Sequence, residues 1–187
     1  MNEFEKSIKE YLSNKTYKHA LGVKDTAIKL SEIYGCSKEK AETASLLHDI
    51  ARDIPLSNMR QILKESGFWS SSHSPVVEDP LLLHAYAGKI IAKQRFGTQD
   101  EEVLKSIELH TTGGESMSVL DKVIFVADFI EPGRAFYGVE KARILAYKNL
   151  DKTVLYIYKF ILRHLLSREL FICKNTLLGY NEIIMKM

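Results

Sequence analysis

The sequence predicts an all-α fold, and three observations support this. Apolar residues recur at helical spacing along nearly every segment, rather than in the strict alternation of strands. Glycine, proline and serine concentrate in one clear loop, at 67–80. No repeat, low-complexity tract or linker divides the 187 residues, so we expect a single helical domain.

The helices are predicted in order from their apolar faces and their end signals. The first clear helix is expected over about 17–34, with Gly35 as its stop. A second follows Ser37, continues as far as residue 50 and ends before Pro55, and Ser57 is expected to cap a third. Further helices are expected at about 81–95, 100–111, 117–130, 139–149 and 151–170.

Composition excludes several classes of function. The chain has 26 basic and 24 acidic residues with both signs interspersed, so we expect no nucleic-acid surface. Cys36 and Cys173 form no spaced motif, which favours reduced packing residues in the cytosol. The N-terminus lacks a signal peptide's apolar core, and the most apolar region, 154–166, is too short and charged to span a bilayer. We expect a soluble, cytoplasmic protein without a membrane partner.

Asp128 is the first residue that calls for a chemical explanation. It lies in VIFVADFIEP, residues 123–132, where its neighbours on both sides are apolar. A carboxylate buried without a partner costs several kcal/mol or loses its charge. We therefore expect a partner for Asp128 from another part of the chain.

Four histidines and one more acid occur near helix ends or in otherwise apolar stripes. They are His19, His48 followed by Asp49, His84 and His110. Any one of them alone would be explained by a hydrogen bond in the core. Desolvating all of them separately would be costly, whereas a shared cation offsets that cost, because imidazole and carboxylate are natural metal ligands. The set predicts a metal centre that includes Asp128.

The order of these residues carries a family resemblance. A His, a His-Asp pair, two further His and an Asp on consecutive helices resemble the HD-domain metal-dependent phosphohydrolases. The segments YKHALGV, ASLLHDIAR, ELHTTG, MSVLDKVIFVADFIEPGR and NTLLGYN are similar to the YqeK-type HD proteins of bacteria, from about residue 15 to 181. The resemblance implies a single HD-domain helical bundle over 1–187, with a core at about 15–135 and C-terminal helices at 138–187 packing on it.

The resemblance also implies an activity. Proteins of this type hydrolyse diadenosine tetraphosphate and related dinucleoside polyphosphates symmetrically to two ADP, by metal-activated hydroxide. Iron is the implied metal, as one or two ions, with manganese or another divalent metal as alternatives, and a homodimer is expected. Three other interpretations stay open: an HD phosphohydrolase acting on another nucleotide, a non-catalytic nucleotide-binding module, and an RNA-associated factor.

Roles for individual residues follow from the resemblance. The implied metal ligands are His19, His48, Asp49 and Asp128, with His84 and His110 able to hold a second metal. The implied catalytic residues are Asp49, His84, His110 and Arg134. The implied substrate contacts are Thr16, Asp49, Ile50, Ala51, Arg52, His84, His110, Thr111, Asp128, Arg134, Lys174, Asn175, Thr176 and Leu177.

Some positions carry a more specific expectation. Asp49 would bridge two ions, and Arg52, where relatives commonly have lysine, would grip phosphate oxygens together with Arg134. Thr16 stands where many relatives have an arginine, so Lys15 or Lys18 would have to supply the missing charge.

Three further residues are expected to lie outside the catalytic machinery. We expect His73 to be solvated and Trp69 to be packed in the loop at 67–80. His164 is expected at a surface or an interface.

Overall fold

The computed structural model describes residues 3–68 and 80–187, which form ten α-helices and no strand. The predicted all-α fold is confirmed. The helices are α1 Glu3–Tyr11, α2 Asn14–Tyr34, α3 Lys38–Leu47, α4 Leu56–Glu65, α5 Pro80–Arg95, α6 Glu101–Leu109, α7 Val119–Ile130, α8 Val139–Ala146, α9 Leu150–Ser167 and α10 Lys174–Met185. Trp69 and His73 lie outside the described residues. None of the helices in the described ranges combines the length and the apolarity needed to cross a membrane.

Helix α7 lies at the centre of the bundle. It packs against α2, α3, α6, α8 and α9, and its residues are apolar on almost every side, as in a helix enclosed by others. Ser118 and Asp121 form a capping box that fixes its start. Asp121 is fully buried, and its carboxylate also accepts a hydrogen bond of 2.7 Å from the Ser106 hydroxyl of α6. The helix that carries Asp128 is therefore held in place at its opposite end.

Several helix ends differ from the sequence prediction. The sequence predicts that the second helix continues to residue 50. In the structure α3 ends at Leu47, with His48 as its C-cap and turns after it. Ser57 does not cap α4, because Pro55 takes that position and its fixed φ suits the start of a helix. Helix α2 begins at Asn14 because the Ser13 hydroxyl caps it, so His19 lies in the second turn rather than the first. The stop at Gly35, with φ of 72°, is confirmed.

The C-terminal helices are fixed to the loop that follows α6. The Tyr158 hydroxyl, buried on α9, accepts a 2.9 Å hydrogen bond from the Gly114 amide. A Cβ atom on Gly179 of α10 would lie 2.1 Å from that hydroxyl and 2.7 Å from the Gly114 carbonyl oxygen. The Thr176 hydroxyl donates to the Thr112 carbonyl at 3.0 Å. Close approach of α10 to residues 112–114 therefore depends on a glycine at position 179.

Replacing Gly179 with alanine should destabilise the fold by about 1–3 kcal/mol, because the added methyl group overlaps Tyr158 and a backbone oxygen. Gly88→Ala is the matched control, since a Cβ on this helical glycine meets its neighbours at 3.5 Å, an ordinary contact distance. The control should lose little or gain about 0.5–1 kcal/mol from the higher helix propensity of alanine. Urea denaturation measures both. A Gly179→Ala protein as stable as the parent would contradict the packing described here.

Candidate metal centre

Side chains from five helices and their ends converge at one side of α7. They are His19 on α2, His48 and Asp49 at the end of α3, His84 on α5, His110 at the end of α6 and Asp128 on α7. All six were predicted from the sequence to share a centre. The structure brings them together, because each pair named below lies within 4 Å.

One half of the centre lies between α2, α3 and α7. The His19 Nε2 atom is 2.9 Å from an Asp128 carboxylate oxygen and 3.2 Å from the His48 Nε2 atom. The His48 Nε2 atom is 3.8 Å from the same oxygen of Asp128. The Asp49 Oδ2 atom lies 3.7 Å from the Nε2 atoms of both histidines. Three ligand atoms, from His19, His48 and Asp128, thus lie within 4.8 Å of one another, with Asp49 beside the two histidines.

The other half lies between the end of α3, α5 and α6. The Nε2 atoms of His84 and His110 are 3.0 Å apart. The Asp49 Oδ1 atom is 3.0 Å from His84 Nε2 and 3.5 Å from His110 Nε2. One oxygen of Asp49 therefore faces each half, which is the arrangement expected of a carboxylate that bridges two ions.

The hydrogen-bond partners of the Nδ1 atoms orient three of the histidine rings. The Nδ1 atoms of His48 and His110 donate to the carbonyls of Ser45 and Ile107, at 2.6 and 2.7 Å, and His19 Nδ1 lies 3.2 Å from the Glu131 carboxylate. Because a carbonyl oxygen only accepts, the Nδ1 atoms of His48 and His110 carry the ring proton and their Nε2 lone pairs face inward, while the Glu131 carboxylate orients the His19 ring. The Nε2 atoms of His19 and His48 lie only 3.2 Å apart, with an Asp128 oxygen beside them, so either a proton on His19 or a cation between the two rings must separate their lone pairs. The donor set therefore fits a bound metal ion.

The electrostatics favour the ligand forms of His48, His84 and Asp49, and favour the protonated form of His19, whose proton a metal ion would displace on binding. Burial lowers the pKa of His48 to about 4 and also lowers the pKa of His84, so both imidazoles are neutral at pH 7. Burial acts to raise the pKa of Asp49, but the nearby imidazoles outweigh it and hold the pKa well below its usual value. At His19, burial lowers the pKa and the hydrogen bond to Asp128 raises it, with a net rise. Neutral imidazoles and ionised carboxylates are the forms that bind a metal.

A cleft of about 490 Å³ opens beside the centre. It is lined by Lys15, Thr16, His19, Asp49, Arg52, Asp53, Leu81, His110, Thr111, Asp128 and Arg134. The Arg134 guanidinium donates to an Asp128 carboxylate oxygen at 2.5 Å and to the Asp128 carbonyl at 2.9 Å. Arg52 Nη1 lies 3.4 Å from His84 Nε2. Both predicted phosphate-binding arginines thus stand at the edge of the metal centre.

Two of the three predicted threonines, Thr16 and Thr111, differ in their surroundings. The Thr111 hydroxyl lies 3.0 Å from His110 Nε2, inside the cleft. The Thr16 hydroxyl donates to Asp53 at 2.9 Å, and Asp53 also accepts from the Ser13 amide. Lys15 lines the same part of the cleft, so it is the residue that can supply the positive charge expected there.

The remaining predicted substrate contacts are not at the cleft. The side chains of Ile50 and Ala51 are fully buried in the core. At the start of α10, the hydroxyl of Thr176 is occupied by Thr112, and Asn175 donates to the Tyr86 hydroxyl at 3.4 Å. A nucleoside contact by Lys174 to Leu177 stays a prediction. These hydrogen bonds connect α10 to Thr112, two residues after His110, and to Tyr86, two residues after His84.

Glu131 was not found from the sequence. It is 5% exposed, its Oε1 atom faces the His19 ring, and its Oε2 atom accepts from the Gly133 amide at 2.5 Å. A Cβ atom on Gly22 would lie 2.7 Å from Glu131 Oε2, so the glycine provides the space for the carboxylate. The sequence signal for this carboxylate is Gly22, which lies three residues after His19 and on the same face of its helix.

Glu131→Gln should weaken metal binding about tenfold or more, because the group that orients a ligating imidazole sets its direction and basicity. Competition with a chromogenic chelator measures the affinity directly. Glu140→Gln is the control, since that carboxylate is on the exposed side of α8 and faces Arg143. Unchanged metal affinity in Glu131→Gln would show that His19 is oriented without it.

Comparison with known proteins agrees with this geometry. The HD domain family model matches residues 16–133. Among curated proteins, the symmetrical bis(5'-nucleosyl)-tetraphosphatase of Halalkalibacterium halodurans is 36% identical over 96% of this chain and 94% of its own. The protein of the same name from Staphylococcus aureus is 39% identical over 90% of this chain and 87% of its own.

A solved structure is similar as well. The crystal structure of a predicted HD superfamily hydrolase involved in NAD metabolism, from Clostridium acetobutylicum, superposes with a TM-score of 0.94. The two are 37% identical, and the likeness covers 99% of this chain and 97% of the other. The family match covers the α2–α7 core with all six residues of the centre, and the solved structure covers nearly the whole fold. The protein therefore belongs to the HD domain family.

Proposed function

We propose that the protein hydrolyses diadenosine tetraphosphate and similar dinucleoside polyphosphates symmetrically, releasing two ADP. The observation that carries the proposal is the position of Asp49, with one oxygen towards His19 and His48 and the other towards His84 and His110, beside a cleft with two arginines. The names of the curated relatives supply the substrate class.

The metal would be held by His19, His48, Asp49 and Asp128, with a second ion between Asp49, His84 and His110. When bound, it supplies Lewis-acid activation of water and of a phosphoryl oxygen. The nitrogen and oxygen donors suit iron, which we propose, as well as manganese and other divalent ions.

The chain's own residues bind and orient the substrate. Arg134 and Arg52 flank the centre and neutralise the phosphates, whose repulsion would otherwise oppose attack. Arg134 is held in the cleft by Asp128, and its planar guanidinium can make two parallel hydrogen bonds to a phosphate. When water attacks one of the two inner phosphorus atoms and the central P–O–P bond breaks, one ADP departs with the bridging oxygen and the other keeps the oxygen of the water. This outcome accounts for the symmetry of the products.

Proton transfer to the departing ADP falls to the second histidine pair. His84 and His110 are buried, with facing Nε2 atoms, and Thr111 places a hydroxyl within 3.0 Å of His110. In a site with one metal ion, the pair would have to take up a proton before it could donate one to the departing ADP or stabilise its charge. In a site with two ions, the pair acts as ligands.

We also propose that the whole chain acts as one domain, since α9 packs on α7 and α10 packs on α9. The homodimer and the cytoplasmic location stay predictions. Exposed apolar side chains on α9 and after it, including Leu166, Leu170 and Phe171, form a surface that a second copy would cover.

Asp49→Ala should lose metal and hydrolysis together, with a fall in turnover of at least about a hundredfold, because Asp49 faces both halves of the centre. Asp25→Ala is the control, since Asp25 is exposed on α2. Elemental analysis and chromatography of ADP released from diadenosine tetraphosphate give the two readouts. Stoichiometric metal with parental turnover in Asp49→Ala would refute the assignment. Release of ATP and AMP by the parent protein would refute symmetrical cleavage.

Arg134→Lys should raise the KM about tenfold with metal content retained, because lysine keeps the charge beside Asp128 but loses the paired hydrogen bonds of the guanidinium. Arg52→Lys serves as the comparison and should have a smaller effect, because the Arg52 guanidinium makes only long contacts, of 3.4 and 3.5 Å, to the His84 ring. Initial rates over a range of diadenosine tetraphosphate concentrations separate KM from kcat. Metal loss in Arg134→Lys would show that the arginine supports the metal centre instead of the substrate.

A further inference from the structure

A second groove, of about 700 Å³, lies between α8 and α9. It is lined by Tyr137, Lys141, Leu145, Lys152, Leu155, Tyr156, Lys159, Phe160, Arg163, His164 and Ser167. Four of these side chains are cationic, and no described residue that lines the groove is acidic. The groove shares no lining residue with the cleft at the metal centre.

The concentration of positive charge departs from the rest of the molecule. Over the whole sequence, basic and acidic residues nearly balance, at 26 and 24. Within the described ranges, no carboxylate lies within 4.0 Å of the cationic groups of Lys152, Lys159 or Arg163, while many other lysines are paired. Like charges held together without counter-charges attract an anionic ligand.

Aromatic rings lie next to this charge. Tyr137 is 96% exposed at the rim. The Tyr156 hydroxyl donates to the Gly138 carbonyl at 3.0 Å, which fixes its ring, and the Lys141 ammonium lies 5.5 Å from the centre of that ring. Phe160 is held by edge contact with Phe129, with centroids 5.3 Å apart. The groove therefore has a rigid aromatic wall and one exposed ring.

We propose that the groove is a second ligand site, separate from the metal centre, that binds a nucleoside polyphosphate. Lys152, Lys159 and Arg163 contact the phosphates, and Tyr137 stacks on the base. The volume lies in the range of small-molecule sites, about 300–1,000 Å³. A nucleic acid would need a longer basic surface, which the balanced charge of the chain does not provide. The proposal does not depend on which reaction the metal centre performs.

The test measures the number of ATP molecules that each chain binds. Equilibrium dialysis with ATP should show one ATP fewer per chain in Lys159→Glu/Arg163→Glu than in the parent protein, whether or not the metal centre also binds ATP. Lys29→Glu/Lys64→Glu is the matched control, since it makes the same change of charge at exposed lysines elsewhere. The control should bind as much ATP as the parent. An equal loss of bound ATP in both double variants would show that only the overall charge matters and would overturn the proposal. Unchanged ATP binding in both variants would show that the groove is not a nucleotide site.

A second comparison tests the nucleoside part. Tyr137→Ala should weaken ATP binding at the groove at least fivefold and leave the binding of inorganic tripolyphosphate unchanged. Equal affinity of the parent protein for ATP and tripolyphosphate would overturn the assignment to a nucleoside. Metal content and the melting temperature of each variant, compared with the parent, confirm that the variants are folded. If the parent protein does not hydrolyse diadenosine tetraphosphate, that result contradicts the proposed function and leaves the groove proposal untouched.

Discussion

The convergence of imidazole nitrogens and carboxylates on one buried point is the constraint on which this structure depends. His19 and His48 direct Nε2 atoms at each other across 3.2 Å, with carboxylates of Asp49 and Asp128 beside them. Packing alone would not select this arrangement, because burying such groups costs free energy unless something satisfies them all at once. A cation does so, and the surrounding helices are arranged to hold its ligands rather than to maximise apolar contact.

Two of the three buried histidines are oriented by the same local arrangement at a helix end. His48 and His110 each cap a helix, and each donates its Nδ1 proton to a carbonyl three residues earlier, at Ser45 and at Ile107. Carbonyls in the last turn of a helix have no partner within the helix. Ending the helix therefore provides both an acceptor for the ring and a direction for its other nitrogen. If α3 continued further, this acceptor would be used by the backbone.

The helix ends and the centre also show what the sequence could and could not predict. Helical periodicity and polar residues in apolar stripes were enough to predict the all-α fold and the convergence of the six centre residues, because both features are local in the sequence. The helix end after Leu47 was missed, since the apolar pattern runs on through Ile50 into the core. Glu131 was missed because, although the spacing of Gly22 from His19 is visible in the sequence, it does not identify the residue from elsewhere in the chain that fills the space Gly22 leaves.

The segment 131–138 links the metal centre to the cationic groove. Its backbone carbonyls at Glu131 and Arg134 both accept hydrogen bonds of 2.8 Å from the Arg143 guanidinium on α8. Helix α8 also supplies Lys141 and Leu145 to the groove. A ligand that shifts α8 therefore acts on the backbone that carries Arg134, whereas His48, His84 and His110 lie on other elements. Any influence of the groove on the reaction should therefore pass through residues 131–134, which carry Arg134 at the cleft and Glu131 behind the His19 ring.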